Sequence, residues 1–237
     1  MPAPELERLF APRTAGYLGA DAALSIPLQD GRCLWVFGDT LIGKLEDGQR
    51  RIDGMVRNSV AIQHPGEPSP ENIEFILPSD PDNGVDFFRL PFDQTGNHWF
   101  WPGTGFEFDN HVFIIGYSVR YAESECEALS FAVERGWIMC VEDARRHPSE
   151  WKISARPAPW PIGNAWFSSG CLIVGKFLVL LGFEYEELSL RSRKWAVLGR
   201  VPLDAFLRNN QLLQIEMRTP SGEWTAGDAA RARIYEP

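Results

Sequence analysis

Three segments of the chain share one pattern: a polar turn, then four or five apolar residues, then a glycine. They are Asp30-Gly-Arg-Cys-Leu-Trp-Val-Phe-Gly38, Asp109-Asn-His-Val-Phe-Ile-Ile-Gly116 and Val174-Gly-Lys-Phe-Leu-Val-Leu-Leu-Gly182. Upstream of each turn lies a second strand-like run, over Leu24 to Leu28, Gly105 to Phe108 and Ser169 to Ile173, so the pattern predicts three β-hairpins. Further strands are predicted over Asn58 to Gln63, Leu129 to Val133, Gly136 to Val141 and Lys194 to Val201. Helical periodicity is confined to a turn or two over Glu142 to Arg146 and Leu203 to Arg208.

The three terminal glycines are 78 and 66 residues apart, a spacing that suits a repeated four-stranded sheet with long loops. Short strands, glycine punctuation and nine tryptophans together predict an all-β fold of the β-propeller type, with a β-sandwich as the rival. The first strand of each blade then lines the central axis, and its end opens onto a pocket.

A length of 237 residues with 44% hydrophobic and 12% aromatic content is enough for a sizeable core and argues against disorder. The expectation is one propeller domain over residues 1–237. A formal net charge of -9 with no basic run disfavours nucleic acid and anionic membrane surfaces as partners and leaves a neutral ligand easier to accept. The N-terminus carries no basic end followed by an apolar run, so the chain as written is expected in the cytoplasm, or secreted if a leader has been removed. Cys33, Cys126, Cys140 and Cys171 follow no metal-ligand spacing and are expected as free thiols. His64, His98, His111 and His147 are scattered, so neither a metal nor any other cofactor is expected.

The chemistry is concentrated around the first hairpin. If its turn is a three-residue loop, Gln29-Asp30-Gly31 with Gly31 left-handed, Leu28 faces Arg32 and Asp21 falls opposite Asp39. A two-residue Asp30-Gly31 turn would instead send the two carboxylates to different faces. Paired acids repel, one keeps its proton while the other ionises, and the result is a general acid/base pair. The competing account is that Asp39 ends a strand and Asp21 sits in a turn. Counting 18 residues back from the position after each repeat's glycine gives Asp21, Trp99 and Ala165. The last two fall in the aromatic clusters His98-Trp-Phe-Trp-Pro-Gly103 and Trp160-Pro-Ile-Gly-Asn-Ala-Trp-Phe167. His98, Trp99, Trp101 and Trp166 are therefore candidates to hold a sugar ring, with packing between blades as the competing account of each tryptophan.

Gly19-Ala-Asp21, Leu24-Ser-Ile-Pro-Leu28, Asp30-Gly-Arg-Cys-Leu-Trp-Val-Phe-Gly-Asp-Thr40 and Arg57-Asn-Ser-Val-Ala61 resemble the opening blade of a family of five-bladed propellers long known only as a domain of unknown function. Some members of that family are endo-D-arabinanases. Trp99-Phe-Trp-Pro-Gly103 is similar to its second-blade motif, and Lys194-Trp-Ala-Val-Leu-Gly-Arg-Val-Pro-Leu203 to one of its later strands; the resemblance spans about residues 14 to 204. It implies a glycoside hydrolase of furanose-containing polysaccharide, with Asp21 and Asp39 as the hydrolytic pair and Asn58 near the pocket. Glu184 and Glu186 could add an acid at the rim, although solvated loop glutamates are the competing account.

One departure concerns length. Five blades at the repeat spacing need roughly 350 residues; about three are present, and a fourth would begin near Gly222-Glu-Trp-Thr225. An incomplete ring leaves blade edges open to a second copy, and it makes a non-catalytic carbohydrate-binding module the alternative function.

Overall fold

The computed structural model describes residues 4–77, 86–93, 96–123, 130–188, 191–208, 214–226 and 233. A short helix, α1 (Pro4–Leu9), precedes β1 (Ala15–Ala20), β2 (Leu24–Pro27), β3 (Cys33–Phe37), β4 (Thr40–Glu46), β5 (Gln49–Val56), β6 (Ser59–Gln63) and β7 (Ile73–Ile76). The second group is β8 (His98–Phe108), β9 (His111–Tyr121), β10 (Phe131–Val141) and β11 (Ile153–Pro157). The third is β12 (Ala165–Val174), β13 (Phe177–Leu188), β14 (Arg191–Pro202), α2 (Leu203–Leu207), β15 (Glu216–Arg218) and β16 (Trp224–Ala226).

The strands make an all-β, propeller-like fold of antiparallel sheets, ordered β2-β3-β6-β7, β8-β9-β10-β11 and β12-β13-β14-β15-β16, with a smaller sheet β1-β4-β5 beside the first. The three predicted hairpins open the three large sheets. The first turns through Gln29-Asp30-Gly31, with Gly31 at φ +87° and Leu28 N–H bonded to Arg32 O at 2.8 Å. The second turns through Asp109 and Asn110, both with positive φ, and the third through Gly175 and Lys176. The first strands β2, β8 and β12 run beside one another, as inner strands of successive blades do. Cys171 on β12 bonds Gly105 O on β8 at 3.3 Å, and Glu107 on β8 accepts from the Gln29 amide at the end of β2.

Two cores form where the sheets stack. Ile26, Leu34, Val36, Val60 and Ile62 of the first sheet meet Phe100, Val112, Ile114 and Met139 of the second. The other face of the second sheet, through Phe106, Phe113, Ile115 and Ile138, meets Phe167, Leu178, Leu180, Val197 and Val201 of the third. Each such side chain, fully buried, contributes about 1.5–3 kcal/mol. A bulge between Pro102 and Thr104 reverses the alternation along β8, which is how Phe100 faces one core and Phe106 the other. The outer face of the first sheet is covered by Leu9 and Phe10, the latter edge-on to Trp35 at 4.7 Å. On the outer face of the third, Leu172 and Val174 of β12 are 66% and 51% exposed.

The small sheet continues the first blade past a crease. β1 and β2, β3 and β4, and β5 and β6 are successive halves of three long strands, and the pairings Leu24↔Val36 and Ala20↔Thr40 keep one register across the break. At the crease Asp21 N–H bonds Asp39 O and Gly38 N–H bonds Asp21 O, both at 3.1 Å, while Ala22 takes a positive φ of 48°.

Several expectations change. The strands over residues 129–133 and 136–141 are one strand, β10, bulged between Val133 and Arg135, with Leu129 outside the described residues. Glu142 to Arg146 is a turn held by Ala144 N–H on Asn110 O, because only Ala144 on it is buried and a helix would have no apolar face to bury. Trp224, placed at the start of a fourth blade, instead pairs with Arg218 as the last strand of the third sheet. Glu184 lies within β13 rather than in a loop, opposite Trp195. Cys33, Cys140 and Cys171 are free, and Cys126 lies outside the described residues. No described helix is long and apolar enough to cross a membrane.

Candidate active site

The crease sets three charged residues in a row. On one side of Asp39 the hairpin register brings Asp21; on the other, the pairings Phe37↔Ser59 and Thr40↔Val56 bracket Asp39 and Arg57 as opposite neighbours. Asp39 is therefore flanked by an acid on one strand and a base on the next. The Arg57 guanidinium reaches Asp39 Oδ2 at 3.3 Å, and each side chain is about a quarter exposed. The second oxygen, Asp39 Oδ1, is buried with no hydrogen-bond partner among the described residues. Asp21 is exposed, but its Oδ1 presses on the Cα of Gly38, where any Cβ would collide with it. Packing against the crease, and then the charge of Asp39, raise the Asp21 carboxyl above the ordinary carboxylate range.

Asp39 and Arg57 form one end of a cleft of about 470 Å³ whose walls are Trp99, Trp101, Tyr121 and Phe131. The aromatic wall is built by β8 and the adjoining ends of β9 and β10. Trp99 stands 5.0 Å from Tyr121 and 6.3 Å from Trp101, and Trp101 meets Phe131 edge-on at 4.8 Å. Arg57 lies over Trp99 at 4.6 Å and donates to Tyr121 OH at 2.8 Å. The arrangement offers a carboxylate beside an aromatic slot, with a second carboxyl, raised above the ordinary range, on the adjacent strand.

The remaining candidates lie apart from this cleft. His98 stands between Asp93 and Glu134, 3.7 and 3.5 Å away, and packs on Phe92. Trp166 packs between blades, edge-on to Tyr117 at 5.4 Å, beside a Ser168 to Tyr117 hydroxyl bond. Asn58 is fully buried, and its amide bonds Phe88 O at 3.1 Å and Phe100 O at 2.9 Å, and its carbonyl oxygen accepts from Phe88 N–H at 2.7 Å. Glu184 accepts from Arg233 at 3.4 Å. No cluster of three or more metal-binding side chains occurs among the described residues.

One acid was absent from the sequence reading. Asp86 accepts the Arg57 main-chain N–H at 2.7 Å, and burial pushes its carboxyl up to about 6. It follows no strand or helix pattern, so periodicity carries no signal for it. Arg57 itself stood in the quoted Arg-Asn-Ser motif without a role, although its place opposite Asp39 follows from the β3 and β6 pairing.

Residues 5–135 match the model of a family described as a domain of unknown function, DUF5005. No curated protein matches the chain. Among solved structures it is similar to a protein of Bacteroides ovatus ATCC 8483 provisionally described as a hydrolase, at 15% identity and a TM-score of 0.69. That likeness covers 97% of this chain and 59% of the other, so the chain spans less than two thirds of that protein's length.

Proposed function

The chain belongs to the DUF5005 family, and we propose that it is a glycoside hydrolase of furanose-containing polysaccharide, such as arabinan, acting through Asp21 and Asp39. The observation that carries this reading is the pairing of the two acids across the crease, with Asp39 at the end of an aromatic-walled cleft. The resemblance of the first blade to arabinan-cutting propellers supports the sugar class, and the five-bladed ring of those proteins belongs to the same proposal. In this mechanism Asp21, whose carboxyl is raised by packing and by its neighbour, donates the proton to the leaving oxygen. Asp39, held by Arg57, either activates water or attacks the anomeric carbon.

The test is release of new reducing ends from a panel of arabinans and related furanose polymers. Asp21→Asn and Asp39→Asn should each abolish release while leaving the thermal midpoint within a few degrees. Full activity in either variant, or no product from any polymer, refutes the reading.

A second reading is a carbohydrate-binding module without turnover. It is favoured by Arg57, which already occupies Asp39 and covers Trp99. Glycan binding with no new reducing ends would select it.

A further inference from the structure

Arg57 joins two carboxylates at once. The crease interrupts the long strand between β5 and β6 at Arg57, and the amide there bonds Asp86 Oδ1 at 2.7 Å. The guanidinium of the same residue reaches Asp39 at 3.3 Å. The segment that carries Asp86 is fixed in place by its neighbours: Phe87 N–H bonds Asn58 O at 3.3 Å, and Phe88 N–H bonds Asn58 Oδ1 at 2.7 Å. Asn58 also donates to Phe88 O and, on β8, to Phe100 O. The main chain that carries Asp86 cannot move away from Arg57 without breaking this set.

We propose that Asp86 is a positioning residue of the cleft: it holds Arg57 by the main chain, and its charge is coupled through Arg57 to that of Asp39. The proposal rests on the paired-aspartate reading for its functional meaning. Three charged groups face Asp86: Arg57 and Asp39 from the crease, and Arg89 from its own segment. Burial raises its carboxyl most; Asp39 adds to the rise, and the Arg57 amide and the two arginines oppose it. When Asp86 is ionised, the charge of Arg57 is felt by two acids. When it is protonated, Arg57 serves Asp39 alone.

The experiment is a pH titration of aspartate carboxyl carbons by ¹³C NMR on the full chain without glycan, so its outcome is independent of any hydrolysis assay. The wild type should show an aspartate step near pH 6 that is absent in Asp86→Asn, a variant that keeps an acceptor for the Arg57 amide. That step should move to lower pH in Asp39→Asn and to higher pH in Arg57→Gln. At about pH 5, where Asp86 holds its proton, the Asp39 resonance should be displaced in Asp86→Ala and restored in Asp86→Asn. If the step stays fixed in both Asp39→Asn and Arg57→Gln, Asp86 only caps an amide and the proposal is overturned. An Asp39 resonance unmoved by Asp86→Ala also overturns it.

Discussion

The guanidinium of Arg57 stands 4.6 Å from the centre of the Trp99 indole, so the flat surface that the sequence offers to a sugar is already covered by a cation. A ring that stacks on Trp99 has to displace that contact, which contributes about 0.5–2 kcal/mol. Trp101, set against Phe131 in the same wall, has no such cover among the described residues. Arg57→Ala should therefore uncover Trp99 and unpair Asp39 together. Glycan affinity should hold or rise while turnover falls about tenfold or more, each factor of ten being about 1.4 kcal/mol. Calorimetric binding and reducing-end release, measured side by side, check both halves.

Gly38→Ala should separate the site from the fold. The backbone at Gly38 is one that alanine adopts, and the atom a methyl would strike is the far end of the Asp21 side chain. Stability should change by no more than about 1 kcal/mol, read from denaturant unfolding. Hydrolysis should fall as far as in Asp21→Asn, because the carboxyl is pushed off the crease.

Stability should depend on pH through Asp86. Its carboxyl is raised from 3.8 to about 6 on folding, so between those values the folded chain binds more protons than the unfolded one. Stability therefore falls as pH rises through that window and levels off above it. Asp86→Asn loses this slope and should melt higher than wild type at about pH 7 but not at about pH 4. The raised Asp21 carboxyl contributes a slope of the same sign that persists in the variant.

Asn58→Ala should act on the fold before the chemistry. It strips partners from the Phe88 amide and from the Phe88 and Phe100 carbonyls. Leaving buried backbone groups unpaired costs about 1–3 kcal/mol each, so a loss of several kcal/mol is expected in urea unfolding. An intact midpoint with weakened glycan binding would instead return Asn58 to the ligand.

The aspartate pairing was legible because a turn is a local object. Gln29-Asp30-Gly31 fixes the loop length, the loop length fixes the register, and the register carries outward to Asp21 and Asp39. The blade repeat was legible for the same reason, hairpin by hairpin. Counting the same 18 residues back in the second blade reaches Trp99, whereas the residue that pairs with Tyr117 is Trp101. The strand from the second turn to Tyr117 is one residue shorter than the strand from Arg32 to Asp39, which takes two residues off the count, while the shorter turn and the bulge after Pro102 offset each other. Trp166 faces Tyr117 of the neighbouring blade, a contact between sheets that no pattern within one strand encodes. Asp86 escaped altogether, because it arrives from a loop and its value to the site lies in an amide that only the crease sets free.

Residues 40 to 56 pass beyond the crease after Asp39 and return just before Arg57, so the two groups stand at the neck of an excursion whose body is the hairpin β4-β5 of the small sheet. The neck is closed from within by Phe37 pairing with Ser59 and by the Thr40 to Ser59 hydroxyl bond. Because loop closure depends only weakly on length, the excursion can lengthen, shorten or change its tip without altering the spacing of the charges at its base. The first blade thus combines a fixed neck with an arm whose tip can change length while Asp39 and Arg57 stay opposite each other.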